Sequence, residues 1–107
     1  MVAYTVTACF GRPEVLPAYV EWLAEGHVAQ VRRGGALSGQ VVVVDQKLGE
    51  PPSVEVRYLF PDRAALDRYL AVDAPRLRAE GADRFGPECE LTFSRTTGRV
   101  AHSEPAR

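Results

Sequence analysis

One histidine stands where an aliphatic residue belongs. Leu16, Val20, Leu23, His27 and Val31 recur at helical spacing and form one apolar stripe, which turns the His27 imidazole toward a core. A neutral imidazole donates one hydrogen bond and accepts one, and near neutral pH it can serve as base, proton shuttle or ligand. The same position suits a core histidine satisfied by a backbone carbonyl or a tyrosine hydroxyl, and both readings stand. Asp73 is the second polar residue on an apolar stripe, that of Leu66, Leu70 and Leu77. It either caps the half-helix beginning at Ala74-Pro75 or orients His27 as the acid of a catalytic dyad. His27 lies about 6 Å below its helix midpoint and Asp73 near its own, so Tyr69 is the expected contact of His27.

Trp22 falls about 120° from the centre of the first stripe. It packs there against the other helix, the loop before the second strand, or a partner chain, or it borders a ligand. Arg57 and Arg78 have the planar fork that matches a carboxylate. Arg57 alternates beside glutamates, where a salt bridge explains it as well, and Arg78 sits at a stripe's edge, where a solvated residue is common. Cys9 and Cys89 fall on opposite faces of their strands and are expected as free thiols. No metal-spaced histidine pair or glycine-rich phosphate loop is present, so neither a metal nor a cofactor is expected. His102 lies in the tail and is read as inert.

The elements that must position these groups follow from periodicity. Residues 3 to 10 read as a strand with Tyr4, Val6, Ala8 and Phe10 on one face and Thr5, Thr7 and Cys9 on the other. Gly11-Arg12-Pro13 breaks it, the first helix starts between Pro13 and Pro17, and Gly34-Gly35 stops that helix. The unbroken apolar run Val41 to Val44 predicts a second strand, over about residues 36 to 45, covered on both faces. A loop from Gln46 to Pro52 leads to a third strand, with Val54, Val56, Tyr58 and Phe60 alternating against Glu55, Arg57 and Leu59. Asp62 is placed to cap the second helix, which Pro75 should kink or break near Val72 to Ala74. Cys89, Leu91 and Phe93 alternate in a last strand. From about Thr97 the chain is polar, so the domain is set at residues 1–96 and residues 97–107 are expected to be a poorly ordered tail.

Length and charge narrow the classes. A chain of 107 residues with 46 % hydrophobic and 25 % charged residues is one ordinary globular domain. A net charge of −1 speaks against nucleic acid and against a membrane surface. No apolar run suits a membrane helix and no secretory signal is visible, so a cytoplasmic location is the expectation.

The order strand, helix, strand, strand, helix, strand fits a split βαβ arrangement, an α+β fold of four antiparallel strands with both helices on one face. The other face asks for a partner, and a second copy is the economical one, giving a homodimeric α+β barrel. The pattern Tyr4-Thr5-Val6, Trp22-Leu23, His27 and Gly34-Gly35 resembles an uncharacterised domain-of-unknown-function family of small dimeric α+β-barrel, ferredoxin-like proteins. Leu66-Asp67-Arg68-Tyr69-Leu70, Ala74-Pro75-Arg76-Leu77-Arg78, Phe85 and Phe93-Ser94-Arg95 extend the resemblance over roughly residues 3 to 96. It implies no specific activity; the wider superfamily implies cofactor-independent monooxygenases, isomerases, haem-degrading enzymes and ligand-sensing domains. The expected site is a helix–sheet cleft lined by Tyr4, Val6, Leu23, His27, Val56, Tyr58, Tyr69 and Leu77, holding a small apolar or aromatic molecule. An enzyme with His27 as base, aided by Tyr69 or Tyr58, and a structural module without ligand are the alternatives.

Overall fold

A computed structural model describes residues 1–105. Strand β1 (Val2–Phe10) leads through a 3₁₀ turn (Pro13–Val15) into helix α1 (Leu16–Trp22). A π-helical segment (Leu23–His27) joins α1 without a break to α2 (Val28–Arg33). Strands β2 (Ser38–Val43) and β3 (Ser53–Phe60) form a hairpin, followed by α3 (Arg63–Val72), α4 (Ala74–Arg84), a second 3₁₀ turn and β4 (Leu91–Arg99). The sheet order is β2-β3-β1-β4 with every neighbour antiparallel, which is the split βαβ arrangement.

Local chemistry sets the boundaries. The Asp62 carboxylate accepts from the Ala65 backbone N–H at 2.8 Å and starts α3 as a side-chain cap. Pro75 cannot continue the α3 hydrogen-bond ladder, so the helix breaks at Asp73 and restarts as α4. Asp73 occupies the junction, yet its side chain makes no capping hydrogen bond there. This corrects the capping role expected for it. The restart also resets the helical phase, so Ala74 and Leu77 are buried and Asp73 is not.

The core lies between the sheet and the helices. Phe10, Val54, Val56 and Phe60 from the strands meet Leu23, Val31, Leu66 and Leu77 from above, each at most 2 % exposed. Burying side chains of this kind stabilises the fold by roughly 1.5–3 kcal/mol each. Two expectations need correction. β2, an edge strand paired only with β3, is not fully covered on both faces: Val41, Val42 and the adjoining Val44 are half-buried and Val43 is 53 % exposed. β4 continues past Thr97, pairing as far as Arg99 opposite Val2, because β1 offers a full-length partner. The last two residues of the expected tail lie outside the described residues.

Candidate functional site

The helices do not close completely over the sheet. On the inner face of β1, Tyr4, Ala8 and Phe10 are buried, but Val6 between them is only half-buried. A cavity of about 290 Å³ stands over it. Its floor is Tyr4, Val6, Val56 and Tyr58; its roof is Tyr19, Trp22, Leu23 and His27 on one side and Tyr69, Leu77 and Arg78 on the other. Phe85, just after α4, and Phe93 and Arg95 of β4 complete the wall, with Phe93 45 % exposed at the rim. All eight residues that periodicity assigned to the cleft border this cavity, as do Trp22 and Arg78.

Asp73 does not. Its carboxylate faces the end of α2, where a methyl group on Gly34 would meet Oδ2 at 2.9 Å, and it lies 4.0 Å from Arg76. Gly34 is seven residues past His27, about 10 Å along the helix, so the two cannot form a dyad. Arg57 points to the opposite face of the sheet and pairs with Glu55 at 2.8 Å. Cys9 and Cys89 are free thiols. Among the described residues no cluster of ligating side chains suits a metal ion.

The π-helical segment sets the geometry of the roof. Five residues in an α-helix turn the chain about 140° past a full revolution, which would point Trp22 and His27 apart. Here the Val28 N–H donates to Leu23 O, five residues back, and the widened turn brings the two side chains onto one side. Their rings stack at 4.3 Å between centroids with planes 24° apart. Trp22 also packs against Tyr19 and Phe85 and lies close above α4. Gly81 makes that approach possible: a Cβ there would sit 3.3 Å from the indole.

Stacking holds the imidazole without satisfying it. His27 Nδ1 is buried and has no hydrogen-bond partner among the described residues. A buried polar atom left unpaired costs about 1–3 kcal/mol, so Nδ1 is a group that a water or a ligand would stabilise. Burial depresses the His27 pKa to about 4, opposed by the nearby Glu80 carboxylate, so the ring is neutral at pH 7. On its outer side, His27 borders a groove that carries Glu25, Gln30 and Glu80. His27 and Tyr69, expected in contact, border the same cavity with no hydrogen bond between them. Tyr69 instead packs against Tyr4 and Phe60, with centroids at 6.3 and 5.4 Å.

Three tyrosines of the cavity, Tyr19, Tyr58 and Tyr69, hold their protons at neutral pH. Burial pushes Tyr19 and Tyr69 up to about 12, and burial together with three neighbouring tyrosines raises Tyr58 as well. Tyr4 accepts a 3.4 Å hydrogen bond from Arg78 Nη2, so Arg78, an exposed residue of α4, reaches the edge of the site with its guanidinium. Sequence reasoning missed Tyr19, Phe85, Phe93 and Arg95. The signal for the last two was present: continuing the alternation from Leu91 puts Phe93 and Arg95 on the inner face, where Arg95 pairs with Val6.

Solved structures share this architecture over almost the whole chain. A dimeric ferredoxin-like protein from an uncultured marine organism matches with a TM-score of 0.75 and 11 % identity, over 99 % of this chain and 98 % of that one. A second such protein, also from an uncultured marine organism, has a TM-score of 0.64 and 21 % identity, covering 96 % and 97 %. SnoaB, a cofactor-independent oxygenase from Streptomyces nogalater, has a TM-score of 0.65 and 16 % identity, covering 98 % and 97 %. Similarity at these identities fixes the ferredoxin-like fold and leaves the chemistry open. No curated protein matches the sequence. The family model described as "Domain of unknown function (DUF4286)" matches residues 1–98, and the chain belongs to that family.

Proposed function

We propose that this protein binds a small aromatic molecule in the cavity over Val6. The observation that carries the reading is the unpartnered His27 Nδ1 among walls made almost wholly of rings and aliphatic side chains. Such walls with a few placed polar groups are the usual composition of small-molecule sites. The volume is about twice that of an apolar cavity known to admit benzene, which suits one or two fused rings. Trp22 is the only tryptophan, so its indole N–H gives one resonance that reports on the cavity. Titration with 2-naphthol is expected to shift that resonance and raise the melting temperature in a concentration-dependent way. An unmoved resonance across a panel of one- and two-ring aromatics would remove the proposal.

A second reading is proton transfer, as in a cofactor-independent oxygenase or isomerase. It is favoured by the position of His27 between the cavity and the outer groove bearing Glu25 and Glu80, a route by which a proton could leave. A base with a pKa near 4 is weak at neutral pH, which places binding first.

The protein acts, in this proposal, as a homodimer joined through the sheet face that no helix covers. Thr5, Thr7 and Glu55 on that face are half-buried and Arg57 is exposed, and two fold neighbours are themselves dimeric. Thr7→Arg tests it. In a single subunit the new guanidinium has Glu55 across the strand and costs the fold little, whereas between two sheets it would be buried. Light scattering is expected to fall from twice the chain mass of 11.7 kDa to once that mass. A wild-type mass of a single chain, or a variant that stays dimeric, counts against the face-to-face assembly.

A further inference from the structure

We infer that the ligand is an aromatic carboxylate, held by its rings in the cavity and by its charge between Arg78 and Arg95. The inference rests on the cavity reading and narrows it to a class of molecule. Arg78 enters from α4 and Arg95 from β4, and no aspartate or glutamate lines the cavity with them. Arg12, Arg57 and Arg76 pair with Glu14 at 2.9 Å, Glu55 at 2.8 Å and Glu80 at 3.1 Å. Among the described residues, Arg78 and Arg95 have no acidic partner. Other arginines that do not line the cavity also lack one there, so it is their place on the cavity that sets Arg78 and Arg95 apart. Arg78 makes only its long bond to the Tyr4 hydroxyl, and Arg95 lies 5.6 Å from the centroid of the Phe93 ring.

Both arginines are exposed residues that border the cavity, and Arg95 stands on the cavity side of its strand. Its register opposite Val6 is an inner-face position, in line with Leu91 and Phe93, where an aliphatic side chain would close the wall. Both positive charges are felt at Tyr69, where they oppose the burial that raises its hydroxyl, and Arg95 acts likewise on Tyr19. The two guanidinium groups border one and the same cavity. Two uncompensated cations beside apolar walls favour an anion, and the guanidinium fork matches a carboxylate with two parallel hydrogen bonds. The ring system of the ligand then extends toward Trp22 and His27.

The test compares 2-naphthoate with 2-naphthamide, which share shape and differ in charge. Calorimetric titration of the wild type is expected to give at least about tenfold tighter binding of the acid. Arg78→Gln and Arg95→Gln are each expected to reduce acid affinity severalfold, to leave amide affinity within about twofold, and to weaken its dependence on salt. Equal affinity for the two probes, or an equal loss of both in the glutamine variants, would overturn the inference while leaving the cavity reading in place. If neither probe moves the Trp22 indole resonance, the cavity reading fails and takes the inference with it.

Discussion

Val6→Phe is expected to weaken aromatic ligand binding at least about a hundredfold while leaving the fold as stable as before. The residue sits mid-strand on the inner face, with Val56 on one side and Arg95 on the other. Its inner-face neighbours on β1, Tyr4 and Ala8, are buried at 3 % and 1 %, and the gap between them is the open volume above Val6. A phenyl ring there would fill the space that a ligand ring takes. A hundredfold loss corresponds to about 2.7 kcal/mol of binding free energy. The stability measurement makes the experiment decisive. Adding a ring to a core already at native density costs about 1–3 kcal/mol, whereas filling a real void costs little or is favourable. Urea denaturation showing a loss in that range would mean that the region is packed solid, and the proposed site would not exist. Unchanged stability together with unchanged ligand affinity would place the ligand elsewhere.

Most of what frames this cavity was legible from two periodicities. Period-2 alternation identified Tyr4, Val6, Val56 and Tyr58 as one inward face, and the helical stripes supplied Leu23, His27, Tyr69 and Leu77. What periodicity could not supply lies where the period itself changes. The stacking of Trp22 on His27 depends on a π-helical turn, and counting at 100° per residue sends those rings in different directions. Asp73 was misplaced for a related reason: counting through the break before Pro75 carries the α3 stripe into a helix with a new phase. The apolar run in β2 signalled a strand covered on both faces, but how far each face is covered depends on which elements pack there, a long-range property that no local run encodes. Arg95 follows from the same alternation carried one step past Phe93, and an arginine on an inner face contradicts the apolar pattern. Such contradictions tend to mark functional positions.

A second large effect is expected on the acid side of neutrality. His27 titrates near 6.5 in the unfolded chain, and burial lowers its pKa to about 4 in the fold. Between those values the unfolded state binds a proton that the folded state refuses, so stability is full above pH 6.5 and falls as the pH drops toward 4. At 1.36 kcal/mol per pH unit the full penalty would approach roughly 3 kcal/mol, and partial exposure of the ring reduces it to about 2. His27→Phe keeps an aromatic ring over Trp22 and removes the titrating group. The difference in unfolding free energy between wild type and variant, at one fixed protein concentration, should therefore swing by about that amount between pH 7 and pH 4.5. Taking the difference cancels the carboxylates that also titrate in this range. The charged groups around the ring fix the direction of further effects. Glu80 on α4 supports the protonated form, so Glu80→Gln should depress the His27 pKa further. A bound carboxylate between Arg78 and Arg95 adds negative charge on the cavity side and should raise it. An imidazole resonance titrating near 6.5 in the free protein, or a difference curve flat with pH, would mean that the ring faces water. The unpaired nitrogen on which the site depends would then be satisfied by solvent.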